Sequence, residues 1–214
     1  MTQKWKTDES LYNAPTEVNG PQINKKLDYS TIYKKEFLDC DPLRDWESID
    51  RCIWLWDWAT EQVGGVDMDW KVLDIGTKDG QFVDHLVNNS IDAMGIEYSN
   101  AYVEYAQDKG RNVEWGDACD LFCTDNSYDW TFSHHVHGLV SNYIGALQEM
   151  LRVTRKYMIA LNQVPGNPRK HYSYISSPQI FHEFVKAVDC KVIYNDYLDT
   201  GWDNEWVIFL EKND

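Results

Sequence analysis

Three histidines fall within four residues of one another in the segment Ser133–His137, whose sequence is SHHVH. Imidazole titrates near neutral pH, so a histidine here could act as a base or orient an acceptor. We take His134 and His137 as the catalytic candidates. His135 and His137 would share one side of an extended chain and could instead bind a metal with a carboxylate. The histidines could also be ordinary polar linings or helix caps. The segment alone leaves these three interpretations open, and our assignment includes no metal.

A second candidate site is the glycine-bearing turn within Asp74–Gly80, whose sequence is DIGTKDG. Glycine lets the backbone approach a ligand closely. The N–H groups at the start of the following helix could then bind anionic parts of that ligand. The dinucleotide fingerprint GxGxxG would need glycine where Lys78 and Gln81 stand, which disfavours a nicotinamide or flavin cofactor.

An acidic residue, Glu97, follows the glycine turn by about twenty residues, at the end of the next apolar run. A carboxylate at that distance suits a bidentate hydrogen bond to two ribose hydroxyls. The alternative is an exposed acid at the end of a strand, and this residue alone does not decide between the two.

Hydrophobic periodicity predicts the elements that position these residues. An amphipathic helix is expected to begin at Asp41-Pro42 and to end at Gly64-Gly65. Strands are predicted at 71–75, 93–96, 112–115, 129–132, 156–161, 191–194 and 206–210, with helices at 81–88, 100–109, 141–153 and 177–188.

Strands that alternate with helices predict an α/β fold: a Rossmann-like, mostly parallel seven-stranded sheet with helices on both faces. The last two strands have no helix between them and should form a C-terminal antiparallel pair. Residues 1–40 are polar and rich in turn residues, so we predict an N-terminal arm that could cover a site, followed by one domain at 41–214.

In this order and spacing, the motifs resemble those of class I S-adenosylmethionine-dependent methyltransferases of the type 11 kind. Asp74-x-Gly76-x-x-x-Gly80 resembles the family's first motif, and Glu97 its ribose-binding acid. Two further stretches resemble the adenine-binding segment and the helix before the fifth strand, namely Gly116–Leu121 and Glu149–Val153.

The resemblance implies S-adenosylmethionine as the cofactor. The residues it assigns to cofactor binding are Asp74, Gly76, Thr77, Gly80, Glu97, Asp117, Ala118 and Ser133. Lys78 departs from the pattern, because the family has glycine there. Its side chain could point outward harmlessly, or it could alter cofactor binding.

Charge and composition restrict the partners. The chain has 20 Lys and Arg against 35 Asp and Glu, a net charge of -15, which disfavours a nucleic-acid substrate. No apolar run approaches the ~18 residues that a membrane span needs. An odd number of cysteines, and a start without an apolar signal segment, favour reduced thiols and a cytoplasmic location.

The stretch from Met150 to His182 has no acidic residue. In the family's fold, the loop that contains Arg169, Lys170 and His171 would border the acceptor pocket, and a basic edge there suggests an anionic small molecule. A plain solvated loop is the alternative.

Taken together, these motifs lead us to expect an enzyme that transfers a methyl group to a small molecule. A non-catalytic relative that senses the cofactor or binds a partner is the second hypothesis. The acceptor and the oligomeric state do not follow from the sequence.

Overall fold

The computed structural model describes residues 42–67, 69–140, 142–163, 177–200 and 204–213. The arm predicted at 1–40 and the basic loop with Arg169, Lys170 and His171 lie outside these residues. The proposed domain boundary near residue 41 therefore stays a prediction.

Within the described residues, seven strands form one sheet. The strands are β1 Lys71–Ile75, β2 Asp92–Glu97, β3 Val113–Trp115, β4 Tyr128–His134, β5 Thr154–Gln163, β6 Cys190–Asp199 and β7 Asn204–Lys212. Their order across the sheet is β3-β2-β1-β4-β5-β7-β6. The first five strands pair in parallel, and β7 runs antiparallel to both β5 and β6. The predicted fold class, including the antiparallel final pair, is confirmed.

Five α-helices lie in the same described ranges. They are α1 Pro42–Gln62, α2 Gln81–Asn88, α3 Asn100–Asp108, α4 Tyr143–Val153 and α5 Gln179–Ala187. The largest difference from the predicted bounds is in β6, which continues five residues past Tyr194. Its added residues are largely polar, so periodicity does not reveal them, but each pairs with β7, and that pairing extends the strand.

Two apolar layers cover the two faces of the sheet. On one face, α1 and α2 pack on the strands, and Trp56, Phe82, Trp130 and Phe132 meet in the core. On the other face, α4 and α5 cover a second core that includes Leu147 and Phe181. Because side chains alternate along a strand, neighbouring residues of β4 belong to opposite layers.

The carboxyl ends of β1, β2, β4 and β5 lie at one edge of the sheet. Since β7 is antiparallel to β5, its first residues reach that same edge, and Glu205 pairs with Gln163 at the end of β5. Ligands bind at this edge in open α/β sheets. The register therefore gathers the sequence candidates and one further acid, Glu205, at the edge where a ligand site is expected.

None of the helices in the described part of the chain is long and apolar enough to cross a membrane.

Candidate functional site

The turn after β1 is fixed to β2 by its backbone. The amides of Gly76 and Thr77 both donate to the carbonyl of Ile96, with N–O distances of 2.8 and 3.2 Å. Gly76 has φ 76°, and a Cβ built there would lie 2.2 Å from the side chain of Val136. The turn thus requires glycine at position 76 both for its backbone conformation and for its packing.

Lys78 adopts φ 56° in the same turn, a left-handed conformation that glycine adopts more easily. Its amide donates to Oε2 of Glu97 at 2.9 Å. A lysine can therefore occupy the position where the family has glycine, although its backbone is strained there.

Glu97 connects two ligand-edge loops through its carboxylate. Oε2 accepts the amide of Lys78, and Oε1 accepts the amide of Ser99 at 2.8 Å. The side chain is only 8% exposed. Burial raises the pKa of Glu97 above its usual value, and the two amides oppose that rise. Each carboxylate oxygen has a second lone pair, so the group can hold the loops and still accept ligand hydroxyls.

Asp74 lies inside the same edge and is almost completely buried. Burial raises the pKa of Asp74 to about 7, the Thr77 side chain offsets part of the rise, and the charge of Glu97 adds to it. A carboxyl held near its titration point can donate or accept a hydrogen bond, depending on what lies beside it.

Asp117 and Ala118 follow β3 in a tight turn. The Asp117 carboxylate accepts a hydrogen bond from the amide of Cys119 at 2.9 Å. The backbones of Asp117 and Asp120 form an isolated β-bridge. Ala118 packs against the core on the α4 side. The turn therefore holds both residues at the end of the third strand, the place where the motif implied adenine contacts.

Ser133 and His137 lie on the α4 side of the sheet and are both fully buried. His137 Nδ1 is 3.2 Å from the Ser133 hydroxyl. Burial lowers the pKa of His137 to about 4, against a smaller opposing effect of Asn162. His137 is thus a neutral side chain held inside the protein, and its catalytic role stays a prediction that this position does not favour.

His134 and His135 lie on the α1 side and stack on each other. Their ring centroids are 4.0 Å apart, at an interplanar angle of 25°. His135 forms an ion pair with Glu205, which is 1% exposed. Arg51 of α1 lies 3.9 Å from the same carboxylate. Burial lowers the pKa of His134 well below its usual range, and the charge of His135 adds to that effect.

The positive charge of Lys78 influences groups on both sides of this edge, near the glycine turn and near the histidines. Its charge is among the influences that lower the pKa values of Glu97 and His134. It also lowers the pKa of the buried Cys52 thiol of α1, although burial and Asp74 raise that pKa overall. The Lys78 ammonium is therefore an electrostatic neighbour of the site, and its effect on cofactor binding stays a prediction.

The structure groups the predicted residues differently from the sequence. Asp74, Gly76, Thr77, Gly80, Glu97, Asp117, Ala118 and Ser133 follow or end neighbouring strands at one edge. His134 joins His135 rather than His137. Two residues were missed, Glu205 and Arg51. The sequence signal for Glu205 would have been strand register, which places the start of β7 beside the end of β5. Arg51 lies on α1, outside that register.

Comparison with known proteins adds the family. Residues 73–159 match the family described as "Methyltransferase domain". This match, over 87 of the 214 residues, supports membership of the class I S-adenosylmethionine-dependent methyltransferase family. The matched segment runs from β1 into β5 and includes every motif that carried the resemblance.

Several solved structures share the fold of this chain. A SAM-dependent methyltransferase from Aquifex aeolicus is 20% identical with a TM-score of 0.63, over 88% of this chain and all of the other. Magnesium protoporphyrin IX methyltransferase from Synechocystis PCC 6803, solved with bound SAH, is 12% identical with a TM-score of 0.61, over 78% and 83%.

A third similar structure has another activity. The cyclase SpnF is 17% identical with a TM-score of 0.60, over 74% of this chain and 79% of the other. Identities this low show the fold alone. The comparison with curated proteins found no match to this chain.

Proposed function

We propose that this methyltransferase binds S-adenosylmethionine at the ends of β1, β2 and β3 and transfers the methyl group to a small anionic molecule. One observation supports the cofactor-binding part of this proposal. The buried Glu97 carboxylate lies between the Lys78 and Ser99 amides, beside the glycine turn. Two loops and an acid are thus held together where a ribose would be bound.

The residues of this edge fit the cofactor's polar groups. Ser99 is 1% exposed, and its buried hydroxyl has no hydrogen-bond partner among the described residues. A buried hydroxyl without a partner is costly, and a polar ligand beside Glu97 would relieve that cost. S-adenosylmethionine supplies an activated methyl group on a sulfonium centre when it is bound.

The chain's own task is then to orient an acceptor. Holding two reactants in line can supply several kcal/mol of the barrier, on the order of 7–11 at best. Lys78, Arg51 and His135 lie near the edge next to the glycine turn, and Glu205 balances part of their charge. This concentration of basic groups, in a chain with a net charge of -15, supports an anionic acceptor.

Cofactor binding is tested by calorimetry with S-adenosylmethionine and S-adenosylhomocysteine. We expect Glu97→Gln to weaken binding roughly 10- to 100-fold, since hydrogen bonds to charged groups contribute ~1.5–3 kcal/mol. Glu114→Gln is the matched control, because it removes an exposed acid from the neighbouring strand β3. Equal affinities of the two variants would remove the ribose role from Glu97. Failure of the unaltered protein to bind either compound would overturn the proposal.

The acceptor half is tested with methyl-labelled cofactor and fractionated cell extract. We expect label in small molecules that bind an anion-exchange resin. Label in nucleic acid or protein would contradict the small anionic acceptor. Cofactor binding without transfer to any fraction would support the second hypothesis, a non-catalytic sensor or partner-binding module. The likeness to the cyclase SpnF shows that this fold also occurs in a protein with another activity.

A further inference from the structure

Two consecutive histidines direct their rings to the same place. Along a regular strand, neighbouring side chains point to opposite faces, so His134 and His135 would ordinarily separate. The chain instead turns at His135, which has φ 60°, and the rings stack at a centroid distance of 4.0 Å. A left-handed backbone conformation is unfavourable for histidine, so surrounding interactions must maintain this arrangement.

A buried carboxylate completes the group. Glu205 comes from the first residues of β7, about seventy residues later in the sequence, and forms an ion pair with Nε2 of His135. The Thr200 hydroxyl donates to its other oxygen at 3.2 Å. One ligand atom from each of His134, His135 and Glu205 lies within 4.8 Å of the others. Nε2 of His134 is buried, and no described residue gives it a hydrogen-bond partner.

We propose that His134, His135 and Glu205 form a binding site for one divalent transition-metal ion of the zinc type. Two imidazole nitrogens and one carboxylate oxygen are a ligand set that zinc uses when it keeps a position open. Zinc–nitrogen bonds are about 2.0–2.1 Å long, so metal binding would require the two rings to rotate out of their stacked arrangement. This set differs from the His135 and His137 pair that the sequence suggested, because His137 lies in the opposite layer.

The neighbouring charges set the expected strength. Arg51 lies 3.9 Å from Glu205 and is a positive group that a bound cation would meet. The charge of Lys78 also acts on His134. Both oppose a cation, so the ligands must outweigh them, and removal of the Arg51 charge should tighten metal binding. The site therefore predicts opposite effects for ligand variants and for Arg51→Gln.

Metal binding at this group does not require the proposed methyl transfer. A further step, in which the open position receives an oxygen or sulfur atom of the acceptor, does rest on the proposed function. Metal titrations without cofactor keep the metal-site proposal separable from the proposed function. Metal binding can fail while cofactor binding succeeds, and cofactor binding can fail while metal binding succeeds.

The experiment uses tag-free full-length protein, stripped with a chelator and titrated with Zn²⁺ by calorimetry and with Co²⁺ by visible absorption. We expect one ion per chain and a Co²⁺ spectrum typical of four-coordinate geometry. His134→Ala and Glu205→Gln should each weaken binding at least 100-fold. Arg51→Gln should strengthen it several-fold, and His85→Gln, which removes a histidine of α2, should leave it unchanged.

X-ray absorption on the unaltered zinc-loaded protein covers the case in which a variant does not fold. Scattering from two imidazoles and one further oxygen ligand from the protein supports the site. Absence of stoichiometric binding, a sulfur ligand in place of the imidazoles, or equal affinity in His134→Ala and His85→Gln overturns it.

Discussion

The cofactor half and the histidine half of the ligand edge are built in different ways. The cofactor half is formed by residues that follow directly on strand ends in one run of chain, from Asp74 to Ala118. The histidine half brings together α1, the end of β4 and the start of β7. The first is therefore visible as local motifs, whereas the second exists only once the sheet has its register.

The two halves also differ in how they treat buried charge. Glu97 accepts two backbone amides, which stay in place whatever side chains surround them. Glu205 instead depends on His135, Arg51 and Thr200, three side chains from separate elements. Backbone partners remain when the neighbouring side chains change, whereas each side-chain partner of Glu205 can be removed by a single substitution.

The largest effect that we expect concerns the pH dependence of unfolding. The pKa of Asp74 rises from 3.8 to about 7 on folding, so its contribution to stability is present below pH 4 and is lost as the pH rises towards 7. The pKa of His137 falls from 6.5 to about 4, so its contribution is present above pH 6.5 and is lost as the pH falls towards 4. Each amounts to roughly 3–4 kcal/mol.

These two contributions oppose each other between pH 4 and 7 and should nearly cancel in the unaltered protein. Denaturant unfolding of the cofactor-free protein at several pH values checks this. Asp74→Asn should leave a stability that rises with pH across the window, and His137→Gln one that falls. Parallel profiles for the two variants would show that one of the two groups keeps its ordinary pKa.

A smaller effect, about 2–4 kcal/mol of lost stability, is expected from Gly76→Ala, where the two halves are in direct contact. The added methyl would lie 2.2 Å from Val136 of the histidine segment, at a backbone conformation that disfavours alanine. Val136→Ala should restore part of the loss in the double variant, as measured by thermal unfolding. Simple additivity of the two single changes would show that the halves are not packed together at this point.

Much of this fold could be predicted because apolar periodicity and turn glycines are local signals. Lys71–Ile75 and Gln81–Asn88 have the predicted bounds, and Glu97 lies at a strand end as expected. The extension of β6 could not be predicted, because its polar residues are strand only through pairing with β7. Nor could the partner of His135, because the His135–Glu205 pair depends on a turn at φ 60° and on the β5–β7 register.

The smallest expected effect concerns Lys78, which interacts with both halves. Its amide donates a hydrogen bond to Glu97, and its positive charge lowers the pKa of His134. Lys78→Ala removes the charge and keeps the left-handed strain, whereas Lys78→Gly removes both. We expect Lys78→Gly to be more stable than Lys78→Ala by about 1 kcal/mol in denaturant unfolding. Cofactor affinity should be unchanged or improved in Lys78→Gly, since the amide that holds Glu97 remains. A clear loss of affinity in both variants would mean that the ammonium contacts the cofactor. The Lys78 side chain would then belong to the cofactor half.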